Sequence, residues 1–145
     1  MNVNADRSYA CVVKLFLVGG LLILGSMVCA QTIAKPDGVH ETSVKSQVIP
    51  DEPGRSLTAI VADLAPGAEA PRHHHAGIVF AYVLEGTVCS QLNGGKVIEY
   101  RAGQYWIEPP GTEHTLTQNP SRTMPAQLLA VFIAPTGAQL TMHDK

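Results

Sequence analysis

From Arg55 to Ala134 the chain is a succession of short apolar runs separated by turn signals. The runs SLTAIVADL, IVFAYVL, TVCSQL, KVIEYR, QYWIE and AQLLAVFIA are divided by Pro66-Gly67, Glu85-Gly86, Asn93-Gly94-Gly95, Ala102-Gly103 and Pro109-Pro110-Gly111. Runs this short, rich in Val, Ile, Tyr and Phe, predict strands, because β-branched and aromatic side chains fit a pleated surface. Almost no stretch supports a helix, so the pattern predicts an all-β sandwich or small barrel. Asn93-Gly94-Gly95 makes TVCSQL and KVIEYR the arms of a hairpin, since Asn and Gly tolerate the positive φ of a tight turn. No internal repeat is visible, which argues against a propeller or solenoid.

The flanks read differently. Residues 31–54 are rich in Pro, Gly and charge and predict a linker with an edge strand around Val44 to Ile49. The tail from Pro135 to Lys145 has no period and reads as loose. At the other end, Arg7 and Lys14 precede the uncharged run LFLVGGLLILGSMVCA, with Val28 and Ala30 just before Gln31. This predicts a signal peptide over residues 1–30, cut between Ala30 and Gln31, and a periplasmic or secreted protein with no stable membrane anchor. An uncleaved anchor is the alternative, as the run approaches the ~20 residues a span needs. Gly19, Gly20, Gly25 and the abrupt change to polar sequence favour cleavage. A lipid anchor on Cys29 fits less well, because Val28 sits where such signals carry a small residue.

A chain of 145 residues has room for one ordinary domain. A net charge of −2 without any Lys or Arg run gives no footprint for nucleic acid or an anionic membrane. A small-molecule ligand is the expected partner. Cleavage would remove Cys11 and Cys29 and leave Cys89 alone, so no internal disulfide is expected and Cys89 reads as a small buried hydrophobe, with a reactive thiol as its alternative.

The candidate chemistry lies in PRHHHAG, ahead of IVFAYVL. Side chains alternate along a strand, so His73 and His75 share a face while His74 and Arg72 take the other. By itself such a pair is ordinary solvated strand surface. In EPPGTEHTLTQ, however, the turn at Pro109-Pro110-Gly111 brings in a further histidine, His114, and strand pairing would let three imidazoles converge. His40 and His143 fall in the linker and the tail and read as solvated. Val79, Ala81 and Val83 share the inward face with His75. Phe80 and Tyr82 lie on the other face, which is equally apolar, and read as core or interface. Glu108 reads as a solvated charge at a strand end, with replacement metal ligand as its alternative. Glu85 and Glu113 read as surface groups in turns, and Tyr105, Trp106 and Ile107 as packing.

Around the histidines the glycines and prolines fall at fixed intervals, and here the chain resembles the cupin superfamily. The first cupin motif, G-x5-H-x-H-x3,4-E-x6-G, is met by Gly67, His73, His75 and Gly86, and the second, G-x5-P-x-G-x2-H-x3-N, by Gly103, Pro109, Gly111 and His114. The motif glutamate falls on Val79 and the motif asparagine on Gln118. The resemblance implies a double-stranded β-helix, or jelly-roll barrel, over residues 55–134. It also implies His73, His75 and His114 as ligands of a divalent metal. Imidazole accepts Fe, Mn, Ni, Cu or Zn alike, so the ion's identity stays open, as does completion of the site by Glu108 or Gln118. Two functions follow from it: a dioxygenase-type enzyme acting on a small, largely apolar, oxygen-bearing substrate, or a non-catalytic small-molecule binding or sensing module. The resemblance further implies a homodimer paired through sheet edges.

Overall fold

The structure, a computed structural model, describes residues 38–143. The expected signal peptide lies outside the described residues. Eleven strands follow one another: β1 (Val39–Val48), β2 (Arg55–Leu64), β3 (Glu69–Ala70), β4 (His73–His75), β5 (Ile78–Glu85) and β6 (Thr87–Leu92), then β7 (Ile98–Arg101), β8 (Tyr105–Glu108), β9 (Glu113–Gln118), β10 (Ala126–Pro135) and β11 (Thr141–His143). They form two antiparallel sheets, ordered β1-β2-β10-β5-β8 and β11-β4-β9-β6-β7, with β3 pairing β9. This is the double-stranded β-helix layout the sequence predicts. The inner faces carry the core: Leu64, Val79, Ala81, Val83, Val88, Trp106, Leu128 and Phe132 are all buried.

Each apolar run makes a strand because its alternation supplies one buried face. In β5 the inward Val79, Ala81 and Val83 are almost fully covered, as expected. Of the two expectations for the outward face, core or interface, core does not hold. Phe80 is 38% and Leu84 41% exposed, and Phe80 stacks on Tyr82 and Tyr105 along the outside of the sheet. Among the described residues no further strand layer covers that face.

Turns set where the sheets exchange strands. Leu92 to Gly95 forms a tight turn, with φ of 51° at Asn93 and 65° at Gly94 and the Gly95 amide donating to the Leu92 carbonyl. Gly77 links β4 in one sheet to β5 in the other, and a Cβ there would overlap the Ile133 carbonyl oxygen.

Two flanking expectations are corrected. The edge strand is longer than Val44 to Ile49, running as β1 from Val39, and among the described residues only one of its sides is paired, to β2. The tail is not loose throughout. Its β11 pairs with β4, aligning Thr141 with His75 and His143 with His73. A strand of three residues is too short to leave a period in the sequence, which is why the pattern missed it.

Candidate metal centre

His73 and His75 lie on β4 and His114 near the start of β9, with His73 directly opposite His114 in the ladder. The available nitrogens of the three rings lie within 4.8 Å of one another. His74 takes the opposite face, as alternation requires, and is not part of the cluster. Arg72 is outside as well, in an ion pair with Glu113, which sits in strand β9 rather than in the turn expected for it.

Neighbours fix each ring. His73 Nδ1 lies 2.7 Å from the Pro71 carbonyl and His75 Nδ1 3.2 Å from the Leu140 carbonyl. A carbonyl only accepts, so Nδ1 carries the proton in both rings and Nε2 keeps its lone pair. Thr141 Oγ1 adds a contact of 3.3 Å to His75 Nδ1. In His114 it is Nε2 that lies 2.9 Å from Ser90 Oγ, while Nδ1 faces Glu108. Burial pushes His75 down to about 4 and His114 down to about 3, with the His73 ring adding to both, and it lowers His73 too. All three rings are therefore neutral at pH 7, the form that ligates a metal.

Glu108 corrects the sequence reading. It is 2% exposed rather than solvated, and it stands opposite Val79 across the β5–β8 ladder. Its Oε1 accepts a hydrogen bond of 2.8 Å from Trp106 Nε1 and lies 3.3 Å from His114 Nδ1. Its Oε2 lies 3.6 Å from His75 Nε2 and has no hydrogen-bond partner. Burial pushes this carboxyl up, an effect the Trp106 N–H partly offsets.

The cluster opens into a cavity of about 60 Å³ walled mainly by apolar groups, among them Ile60, Leu64, Val79, Leu128 and Phe132. Thr117 lines it too, and its buried hydroxyl has no partner. Glu41, exposed on β1, is the other carboxylate along its wall. Three neutral imidazoles with free nitrogens, beside a buried carboxylate oxygen without a partner, form a donor set that fits a divalent transition metal.

A cupin-domain family model matches residues 60–132, half of the chain, and its span covers the histidine cluster and most of the cavity lining. The chain belongs to the cupin family. Solved structures agree on the fold. A double-stranded β-helix protein from Klebsiella pneumoniae is 22% identical, with a TM-score of 0.59 over 77% of this cupin and 90% of that chain. A protein of Thermus thermophilus is 27% identical, with a TM-score of 0.55 over 70% and 87%. Oxalate decarboxylase from Bacillus subtilis is 22% identical, with a TM-score of 0.60 over 74% of this cupin and 28% of that larger chain. None of the curated proteins matches it in sequence.

Within the cupin frame, the second motif's asparagine is displaced. Gln118 lies outside the cavity, 3.5 Å from Glu69, whereas Asn119 is fully buried. Its Nδ2 reaches the carbonyls of Leu64, Ala65 and Met124, and its Oδ1 accepts from the Ser121 amide. The cause is an irregularity in the β6–β9 ladder, where Leu116 pairs Gln91 but His114 pairs Leu92. Thr115 is the extra residue, and a bulge of this kind reverses which residues face inward. Thus His114 faces in, and so do Thr117 and Asn119 beyond it. Ser90 and Thr117 also escaped the sequence reading, and Trp106, buried as a packing residue should be, in addition donates to Glu108.

Proposed function

We propose that this cupin is an exported, mononuclear metal protein that binds one divalent ion on His73, His75 and His114 and acts as a dioxygenase-type enzyme on a small, oxygen-bearing substrate. The observation that carries the reading is the placement of three neutral imidazoles at one end of a mainly apolar cavity. When bound, the ion supplies Lewis acidity and a template for substrate oxygens. The chain supplies the rest. Pro71, Leu140 and Ser90 hold the rings in orientation. Val79, Leu128 and Phe132 exclude water, and the Thr117 hydroxyl offers one hydrogen bond to a ligand oxygen.

The volume narrows the substrate class. A cavity of about 60 Å³ with mainly apolar walls favours a small substrate such as a short diketone or thiol. A second reading, a binding or sensing module without turnover, draws on the same small volume and on the position of Glu108 against the rings, which leaves Glu41 as the remaining acid or base along the wall.

Metal analysis of protein purified from its own compartment, followed by oxygen uptake with diketones, thiols and flavonols, tests the proposal. Uptake with a small substrate supports the enzyme, and binding without uptake supports the sensor. The mass of the mature protein tests export, with a chain beginning at Gln31 as the expected result.

A further inference from the structure

We infer that Glu108 is the fourth protein ligand of the metal, a carboxylate supplied by β8 to the place beside the histidines that Val79 of β5 leaves without one. The inference rests on the three-histidine reading and extends it.

Register is the first support. Val79 and Glu108 are ladder partners, so their Cβ atoms share a face at roughly 4.5–5.5 Å, a gap that a glutamate side chain spans. A carboxylate from β8 therefore reaches the volume that a longer side chain at position 79 would occupy. Distance is the second, since the carboxylate oxygens lie 3.6 Å from His75 Nε2 and 3.3 Å from His114 Nδ1. The third is an orphaned atom. Trp106 occupies Oε1 and leaves Oε2 buried without a partner, which is costly for a carboxylate unless a cation completes it. Among the described residues its ion-pair partners are only these two imidazoles, and neither makes a hydrogen bond to Oε2. A divalent ion satisfies Oε2, while the carboxylate halves the charge that three neutral rings leave on the ion.

The test is calorimetric titration of the mature protein with Zn²⁺, alongside absorption spectra of the Co²⁺ form, which report coordination number and donor type. Glu108→Gln keeps the shape and an acceptor for Trp106 Nε1 but loses the anionic donor. It is expected to bind at least ~10-fold more weakly, at the level that losing a supporting partner already costs, and to shift the Co²⁺ spectrum. Its metal-free form should melt no lower than the parent, which separates a ligand from a structural prop. The exchange variant Val79→Glu/Glu108→Val should recover affinity to within a few-fold of the parent.

Unchanged affinity and spectrum in Glu108→Gln overturn the inference. So does an exchange variant that folds yet stays as weak as Glu108→Gln. If His73→Ala loses the metal while Glu108→Gln keeps it, this inference fails alone. If the parent binds no divalent ion, the three-histidine reading fails with it.

Discussion

His73, His75 and His114 line the cavity and half-buried His74 does not, so the four rings are unequal in worth. Replacing His73, His75 or His114 with Ala should abolish tight Zn²⁺ binding in a calorimetric titration. His74→Ala should leave it intact, at a stability cost of at most about 1 kcal/mol. Loss of metal from His74→Ala with retention by His73→Ala would falsify the face assignment. The depressed ring pKa values also set a pH dependence. A histidine lowered in the folded state favours the fold fully above its ordinary value of 6.5, and that advantage is lost as the pH falls towards about 4 for His75 and about 3 for His114. Glu108, raised by burial, works in the opposite sense. The metal-free protein should therefore melt at lower temperature as pH drops from 6.5 to 4, and more steeply in Glu108→Gln, which scanning calorimetry would show. A melting temperature that rises over that range would contradict this.

At the scale of elements, the site depends on pieces whose sequences say little. The strand β11 brings the Leu140 carbonyl and the Thr141 hydroxyl to His75, so deleting residues 140–145 should weaken Zn²⁺ binding ~10-fold. Thr141→Val should do so by less, and equal affinity in the deleted chain would count against the role. Asn119 ties the turn after β9 to the end of β2, and Asn119→Ala should cost about 2–3 kcal/mol in denaturant unfolding, since it strands buried carbonyls. These elements show where sequence reading stops. The strands, the hairpin at Asn93 and the pairing of His73 with His75 were legible because they repeat at a period of two or use residues with fixed backbone preferences. The bulge at Thr115, the strand β11 and the burial of Glu108 were not, because each is decided by a partner distant in the chain. Glu108 looks like a strand-end charge until Val79 is known to lie beside it.

For the whole molecule, the open surfaces among the described residues include the outer side of β1, the longest strand at a sheet edge, and the apolar face carrying Phe80, Tyr82, Tyr105 and Ile107. Unpaired strand edges and contiguous apolar faces both favour association. Light scattering of the protein is expected to give a dimer. Val44→Pro, placed in β1, should shift it to monomer if the edge pairs, while Tyr105→Arg should do so if the face does. A monomer at concentrations far above those in the cell would rule out both.

Trp106 is the chain's single tryptophan, and it sits buried with its indole 6.1 Å from the His114 ring and its N–H on Glu108. All tryptophan fluorescence of the protein thus originates beside the histidine cluster, shielded from water. Emission should be blue-shifted in the native state, quenched by Cu²⁺ at one equivalent, and altered in wavelength rather than extinguished by Zn²⁺. In His114→Ala the same titrations should leave the spectrum unmoved. The molecule carries its own optical gauge of occupancy, readable without any label.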